Sequence, residues 1–306
     1  MKISIIGIGQ VGASLAFGLA LKETVSDIVL VHHRPEIADA NAADLQHAML
    51  FANRRINIQA GDMEATAHSD IVVITASRPW RENFADRLDA ACANTELFAE
   101  IIPAIAAVNP TAKLLIISNP VDVLSYHAVQ LSGYEPHRVI GTGTLVDSAR
   151  FRGLLADETD IHPVDLRAYI LGEHGNSQFP IFSSAETGGM KIAENASRRE
   201  MAKSAATVGV EVFSTKGNTN FVISSAALHI IETIVKDSRH TMPVSVHVDD
   251  FYGVSDLFLS VPAVIGIDGV MRILKPKLNS GEINSLQKSA SVIREVITRT
   301  KSVYSQ

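Results

Sequence analysis

Three residues suited to proton transfer and anion binding lie within 30 positions of each other in the sequence. His174 lies in a Gly-Glu-His-Gly segment at residues 172–175, after a predicted strand, while Asp147 and Arg150 lie on a predicted helix. Residues three apart share one helix face, so Asp147 and Arg150 are expected side by side. Imidazole suits acid/base catalysis near neutral pH, and a guanidinium binds a carboxylate through two parallel hydrogen bonds. Taken singly, these residues have ordinary alternatives, a packed histidine and a helix ion pair.

A second candidate site lies near the N-terminus. Gly7, Gly9 and Gly12 have the Gly-x-Gly-x-x-Gly spacing, follow a predicted strand and open a predicted helix. Glycine permits the tight turn and lets the first N–H groups of the helix, including those of Gln10 and Val11, approach a pyrophosphate. This context predicts dinucleotide binding. The alternative is a glycine-rich turn that only allows close packing.

The acidic residue that usually completes such a site is replaced. His32 lies 20 residues beyond Gly12, where Asp or Glu would bond the ribose hydroxyls of NAD, and it is followed by His33 and Arg34. A carboxylate there would repel the 2′-phosphate of NADP, whereas an imidazole beside a guanidinium would not. The replacement favours NADP slightly over NAD, and a histidine that merely bonds the NAD ribose stays open.

The elements that must position these residues alternate between strands and helices as far as residue 143. Strands are predicted at residues 2–6, 27–31, 70–75 and 113–117. One helix is predicted from the glycine turn to about residue 22, and two more cover about 38–50 and 87–108. Further on, a strand at 166–171 and β stretches near 243–248 and 258–264 mix with helices near 194–215, 219–236 and 280–300. We predict an α/β fold, with a Rossmann-type doubly wound parallel sheet in a dinucleotide-binding domain (1–143) and an α+β substrate domain (144–306).

The composition excludes several classes of protein. Hydrophobic residues make up 46% of the 306 residues and charged residues 20%, as in globular proteins. The net charge is −6 and the basic residues are scattered, which argues against nucleic acid. Cys92 is the one cysteine, so we expect no disulfide, no metal site and a reducing, cytoplasmic location. The uncharged stretch at residues 3–21 is interrupted by glycines, so we expect neither export nor a membrane span.

The order of the motifs resembles the L-lactate/malate dehydrogenase family over nearly the whole chain. The matching segments include residues 44–47 (Asp-Leu-Gln-His), 118–122 (Ser-Asn-Pro-Val-Asp), 141–152, 172–175, 216–219 and 259–262. The resemblance implies an NAD(P)-dependent oxidoreductase that moves a hydride between the nicotinamide and a small 2-oxo or L-2-hydroxy acid. It also implies a homodimer or homotetramer.

The resemblance assigns roles to the residues that could carry the chemistry. His174 would donate the proton to the substrate carbonyl, and Asp147 would hold its ring. Arg150 would bind the substrate carboxylate, and Arg87 would polarise the carbonyl. All four residues are present, which argues against a catalytically inactive nicotinamide-binding sensor. An NAD-dependent glycosidase would need a metal held by Cys and His, which the sequence does not offer.

Further contacts are implied around the same pocket. Asn119 would contact the substrate or the nicotinamide, Thr219 would line the substrate pocket, and Ile223 would pack on the nicotinamide. The chain departs from the family pattern at Asn176, where Asp is usual, and at Arg167, where many members have His. With Arg152, Arg167 would offer an anionic effector a place at a subunit interface, although solvated arginines are the common case.

Substrate choice depends in this family on one side chain of the loop before Arg87. Counting forward from Ala76, the selecting position is Trp80, but counting back from Arg87 it is Arg81. Arg81 would pair with a second carboxylate and predict malate and oxaloacetate, which we favour slightly. Trp80 would predict a bulky apolar 2-oxo acid, and neither count gives the Gln of an ordinary lactate enzyme. We expect this loop, residues 77–86, to close over the substrate.

Overall fold

The N-terminal half forms a doubly wound parallel sheet, as predicted. The computed structural model describes residues 1–22, 24–78 and 87–304, and only the backbone of Arg87 and Leu88. The elements in chain order are β1 (Lys2–Ile6), α1 (Gln10–Leu21), β2 (Asp27–Val31), α2 (Pro35–Phe51), β3 (Asn57–Ala60), β4 (Ile71–Ile74), α3 (Arg87–Val108), β5 (Lys113–Ile116), α4 (Val121–Ser132) and β6 (Val139–Gly141). The strands pair in parallel in the order β3-β2-β1-β4-β5-β6.

The strand order reverses between β1 and β4. All four residues of β4 are buried, because helices cover both faces of a parallel sheet. At such a reversal the connections after neighbouring strands diverge and leave a crevice at the carboxyl ends of the strands. The glycine turn after β1, the segment after β4 and Asn119 after β5 therefore meet at one edge of the sheet.

The C-terminal half extends this sheet and adds a smaller one. Its elements are α5 (Leu145–Thr159), β7 (Arg167–Leu171), β8 (Phe179–Thr187), β9 (Met190–Lys191), α6 (Ala196–Lys216), α7 (Asn220–Val235), β10 (Thr241–Val248), β11 (Leu257–Gly266), β12 (Gly269–Ile273) and α8 (Ser280–Thr300). Strands β10, β11 and β12 are antiparallel, and β10 joins β6 where Ser245 pairs with Gly141. The large sheet thus has 9 strands and runs past residue 143, while β7, β8 and β9 form a separate sheet.

Two hydrophobic cores hold the elements in place. The larger core surrounds the main sheet, and the smaller one lies between α5, α6 and the sheet of β7 and β8. In the smaller core the rings of Phe151 and Phe182 meet edge to face, with centroids 5.8 Å apart. This packing holds α5 against the sheet of β7 and β8, and with it the positions of Asp147 and Arg150 relative to the end of β7.

The observed helices and strands differ from the predicted ones at several places. The predicted helix near 38–50 begins earlier, at Pro35, because proline suits the first turn of a helix. The predictions also omit α4, β3, β6, β8 and β12. Of these, β6 has only three residues, β3 is polar and half exposed, and α4 is buried nearly all round and so lacks a helical apolar stripe. The last helix, α8, has the predicted bounds, and Asn279 and Glu282 form its capping box.

One helix within the described residues, Asp89–Val108, is long and apolar enough to cross a membrane by length and composition alone. Phe98, Ile102 and Ile105 of this helix lie in the main core. A core helix of a globular protein passes the same test.

Candidate active site

The three glycines of the turn after β1 have different surroundings. Two are packed closely against other backbone atoms, and one borders open space that a ligand could occupy. Gly7 has a φ of +101°, and a Cβ there would lie 2.5 Å from the backbone N of Ala76. A Cβ at Gly12 would lie 2.5 Å from the carbonyl oxygen of Gly7. A Cβ at Gly9 would meet nothing within 4 Å. Gly7 and Gly12 therefore let the strand and helix approach, whereas Gly9 borders open space.

The first turn of α1 faces this open space with its backbone donors. Gly9 is the N-cap residue and supplies no side-chain cap, and the first turn contains no acidic residue. The N–H groups of Gln10, Val11 and Gly12 belong to the donors that a helix leaves without an intrahelical partner. Together with the positive end of the helix dipole they suit a pyrophosphate. The residues here fit a dinucleotide.

His32 directly follows β2 at the same edge of the sheet and lies in a local turn. Its Nδ1 accepts a hydrogen bond from the backbone N–H of Arg34 at 3.1 Å, and its ring lies 4.3 Å from that of His33. Burial, and next the charge of His33, lower the pKa of His32. The ring is therefore neutral at neutral pH. The side chains of His33 and Arg34 are exposed.

Buried hydroxyl groups attach α5 to β7, the strand that leads to His174. The Oγ of Ser148 accepts a hydrogen bond from the N–H of Ile170 at 2.9 Å. The Oγ1 of Thr144 donates to the carbonyl oxygen of Ile170 at 2.6 Å. Ser148 follows Asp147 directly in the chain, so these bonds set the distance between Asp147 and the loop after β7.

Asp147, His174 and Arg150 come together as the sequence predicts. The carboxylate of Asp147 is buried, with one oxygen 2.9 Å from Nδ1 of His174 and the other 3.5 Å from a guanidinium nitrogen of Arg150. Burial lowers the pKa of His174, but the hydrogen bond and charge of Asp147, with a smaller contribution from Asp122, outweigh burial and raise it. The bond to Nδ1 leaves Nε2 as the ring nitrogen that can face a substrate.

The loop that carries His174 is anchored on both sides. Gly172 and Ser260 of β11 exchange backbone hydrogen bonds of 3.0 Å in both directions. The backbone N–H of His174 donates to a carboxylate oxygen of Asp122 at 2.8 Å. The sequence-based predictions gave Asp122 no role, although it lies in the Ser-Asn-Pro-Val-Asp segment. Its place in that motif was the signal that could have identified it.

Arg150 lies close to the backbone of α6. A Cβ at Gly209 would be 2.9 Å from one guanidinium nitrogen of Arg150 and 3.3 Å from the other. Sequence analysis missed Gly209, since a glycine inside a helix carries no chemical group. The contact shows that α6 forms the wall of the site beside the guanidinium.

Thr219 and Ile223 lie at the start of α7, which packs against α1 beside the glycine turn. Thr219 is the N-cap residue of α7 and Ile223 lies in its first turn. Helix α7 is bonded to α1 by the Asn220 amide, which donates to Ser14 at 2.6 Å, and by Ser224, which donates to the carbonyl oxygen of Val11 at 2.9 Å. These bonds bring the start of α7 next to the turn.

Asn119 is linked to the segment after β4 by one buried amide. The side chain of Asn94 on α3 donates to the carbonyl oxygen of Asn119 at 2.8 Å and accepts from the N–H of Arg78 at 2.7 Å. Sequence analysis did not identify Asn94. Trp80 and Arg81 lie outside the described residues, as do all residues of the predicted lid except Ser77 and Arg78. Arg87 begins α3, but its side chain also lies outside them.

Arg152 and Arg167 make no hydrogen bond or ion pair with Asp147, His174 or Arg150 within the described residues. Arg152 donates to the carbonyl oxygen of Ser148 at 3.4 Å. Burial, and to a smaller degree the charge of Arg167, lower the pKa of Arg152, while Tyr169 opposes the shift. The two guanidiniums are thus near enough to repel each other. Within residues 1–22, 24–78 and 87–304 no group of three or more His, Cys, Asp or Glu is placed to hold a metal ion.

Comparison with known proteins accounts for this arrangement. The family profile for the lactate/malate dehydrogenase NAD-binding domain matches residues 1–141, and that for the alpha/beta C-terminal domain matches residues 144–303. The chain belongs to the lactate/malate dehydrogenase family. The resemblance inferred from the motifs is therefore confirmed, and so is the Rossmann-type fold.

Similar proteins are matched along almost their whole length. The chain is 36% identical to the L-lactate dehydrogenase of Acetivibrio thermocellus, over 97% of this chain and 96% of the relative. It is also 36% identical to the L-lactate dehydrogenase A chain of Python regius, over 95% and 91%. A solved lactate dehydrogenase from a Medee basin deep-sea metagenome library superimposes with a TM-score of 0.94, at 32% identity and 98% coverage of both chains.

Family membership makes the chain an oxidoreductase with a nicotinamide cofactor and a small 2-oxo or L-2-hydroxy acid as substrate. The relatives above are lactate dehydrogenases, so the comparisons support the lactate alternative better than the malate preference drawn from Arg81.

Two glycine variants separate packing from ligand binding in the turn. We expect Gly7→Ala to lower the melting temperature, because of its positive φ and the contact with Ala76. We expect Gly9→Ala to fold within about 1 kcal/mol of wild type but to bind NADH and NADPH at least about tenfold more weakly. Thermal unfolding and fluorescence titration measure the two effects. Wild-type affinity in Gly9→Ala would place the dinucleotide elsewhere.

Proposed function

We propose that the chain interconverts L-2-hydroxy acids and 2-oxo acids with His174 as the acid/base residue. The observation that carries the proposal is the buried Asp147 carboxylate between His174 and Arg150, at distances of 2.9 and 3.5 Å. With its pyrophosphate at the glycine turn, a bound nicotinamide cofactor would supply or accept the hydride. The residues described below handle the proton and the carboxylate.

His174 exchanges the proton at the substrate oxygen through Nε2. In reduction the imidazolium donates this proton as negative charge develops on the carbonyl oxygen, and in oxidation the neutral ring removes it. Asp147 holds Nδ1 and stabilises the imidazolium. Because the pKa of His174 is raised, the imidazolium persists to higher pH than in a free histidine. Reduction should therefore decline, and oxidation increase, as the pH rises through that pKa.

Arg150 and Arg87 are proposed to bind and polarise the substrate. Arg150, beside Asp147 and the backbone of Gly209, would hold the carboxylate through paired hydrogen bonds and so orient the reacting carbon. Arg87 would stabilise the developing oxyanion. Asn119 and Thr219 would line the pocket, and Ile223 would pack on the nicotinamide. In this proposal the domain of residues 1–143 binds the dinucleotide, and the domain of residues 144–306 carries His174.

We expect His174→Asn to reduce turnover by a factor of at least about 10² while NADH and NADPH bind with wild-type affinity. Asparagine keeps a polar side chain at this position but cannot exchange a proton near neutral pH. Stopped-flow reduction of a 2-oxo acid and cofactor titration measure the two quantities. His137→Asn, on a different surface, serves as the control with unchanged turnover. A His174→Asn enzyme with more than about a tenth of wild-type activity would refute the assignment.

The proposed substrate is a monocarboxylic 2-oxo acid, pyruvate or a bulkier homologue. The L-lactate dehydrogenases among the relatives support this choice. Trp80 is the sequence position that would accommodate a bulkier tail. The other candidate is oxaloacetate, for which Arg81 would supply the second cation, whereas a buried Arg81 facing a monocarboxylate would cost several kcal/mol.

The ratios of kcat/KM for pyruvate, oxaloacetate and a branched 2-oxo acid decide between the two. We expect a monocarboxylate to be preferred and Arg81→Gln to change the ratios by less than about threefold, because Arg81 would then remain in solvent. Trp80→Ala should alter the preference between pyruvate and the branched acid. If oxaloacetate is preferred by orders of magnitude and Arg81→Gln reverses this, the enzyme is a malate dehydrogenase.

We further propose that the enzyme accepts NADPH as well as NADH. The support is local: the ring of His32 is neutral, and His33 and Arg34 are exposed beside it, so no carboxylate of these three repels a 2′-phosphate. A neutral imidazole can also donate to a ribose hydroxyl, which leaves NADH usable.

His32→Asp should raise the ratio of kcat/KM for NADH over NADPH by about tenfold or more, since hydrogen bonds to a charged group contribute roughly 1.5–3 kcal/mol. The carboxylate would bond the ribose hydroxyls and repel the 2′-phosphate. His137→Asp makes the same charge change at an exposed residue just before β6 and should leave the ratio unchanged. An unchanged ratio in His32→Asp would mean that His32 does not reach the ribose.

We also propose a homodimer or homotetramer. Leu50 and Phe51 at the end of α2 are 78% and 95% exposed, and Phe17 and Leu21 on α1 are each 46% exposed. Neighbouring exposed apolar side chains of this size are typical of protein interfaces.

Light scattering at micromolar concentration should give a mass at least twice the 32.9 kDa of one chain. Aspartate at both Leu50 and Phe51 should reduce that mass, because two charges would be buried in the contact. Val164→Asp, at a residue 64% exposed elsewhere, is the control. A wild-type monomer would contradict the proposal.

A further inference from the structure

Asp122 is a buried carboxylate that the mechanism above does not use. It lies in the first turn of α4 and is 2% exposed. One oxygen accepts the backbone N–H of His174 at 2.8 Å, and the other accepts the hydroxyl of Ser245 on β10 at 2.6 Å. A charge this deeply buried is retained only where such bonds compensate its lost hydration.

The surroundings of Asp122 favour its ionised form at neutral pH despite burial. Burial raises the pKa of Asp122 to about 6, against the bonds from Ser245 and His174 and the charge of His174, while the charge of Glu173 adds to the rise. The carboxylate also lies in the first turn of α4, where the helix dipole stabilises negative charge. Above the pKa, two carboxylates therefore flank His174, Asp147 at the ring and Asp122 at the backbone.

The two carboxylates hold different parts of the same residue. Asp147 orients the ring through Nδ1, whereas Asp122 fixes the main chain from which the ring projects. Helix α4 starts immediately after Asn119 and Pro120, so Asp122 also sets the distance between His174 and Asn119. Among the side chains that the structure describes, the main charges acting on His174 are those of Asp147, Asp122 and Arg150, of which Arg150 opposes its protonation.

We propose that Asp122 is a positioning residue for His174. Asp122 holds the backbone of His174 in place, and the negative charge of Asp122 helps the imidazole ring to retain its proton. The proposal rests on the proposed function, in which His174 exchanges the proton. To that function it adds the Asp122 carboxylate on α4, which sets both the position of His174 and the pH range in which the His174 ring is charged.

Asp122→Asn separates charge from geometry. The amide oxygen can still accept the N–H of His174, and the amide nitrogen can donate to the hydroxyl of Ser245, but the charge is lost. We expect the pKa that governs kcat/KM for 2-oxo acid reduction to fall by about half a unit to one unit, since a nearby opposite charge favours protonation. Reduction then declines at lower pH than in wild type, while NADH affinity is unchanged.

Asp122→Ala removes the charge and both hydrogen bonds. We expect kcat/KM to fall by about tenfold or more, because a displaced acid group no longer meets the carbonyl in a productive geometry. Asp268→Asn, at an exposed turn between β11 and β12, makes the same change of net charge as Asp122→Asn and should keep the wild-type pH profile.

A folded Asp122→Asn enzyme with the wild-type pH profile would overturn the proposal. If this variant does not fold, Ser245→Ala replaces it: loss of the hydroxyl raises the pKa of Asp122, so the pKa seen in the kinetics should fall in the same direction. A wild-type profile in Ser245→Ala would then overturn the proposal. His174→Asn distinguishes the two levels, because an active His174→Asn enzyme refutes the proposed function itself, whatever the Asp122 variants show.

Discussion

The buried carboxylate of Asp147 is the constraint on which the rest of the site depends. A carboxylate removed from water is tolerated only when hydrogen bonds and opposite charge replace its hydration, and Asp147 receives these from His174 and Arg150. Helix α5 must therefore stay at a fixed distance from the loop after β7. The hydroxyl bonds to Ile170 and the edge-to-face pair of Phe151 and Phe182 maintain that distance.

The topology of the large sheet brings this cluster to the dinucleotide turn. The strand order reverses beside β1, which opens a crevice at the glycine turn, and α7 from the C-terminal half bonds to α1 there. Hydride transfer and proton transfer act on adjacent atoms of one substrate, so their donors must meet at one edge of the protein. The continuous sheet from β6 into β10 makes the two halves a common support.

The positions proposed to select cofactor and substrate are not part of the Asp147 cluster. His32 follows β2 in a turn with a hydrogen bond from the N–H of Arg34, and Trp80 and Arg81 belong to the part of the sequence between β4 and α3. In the proposed function, substitution at such positions would change which cofactor or acid is accepted without disturbing the Asp147 cluster.

The sequence alone determined the parallel sheet, the glycine turn and the group of His174, Asp147 and Arg150, because these depend on strand–helix periodicity, glycine spacing and ordered motifs. Only the tertiary structure revealed what residues distant in the chain do for that group. Asp122 bonds His174 across 52 positions, and Gly209 leaves room beside Arg150 across a helix contact. Neither has a local signature: Asp122 lies on a helix buried nearly all round, which has no apolar stripe, and Gly209 acts through the side chain that it lacks.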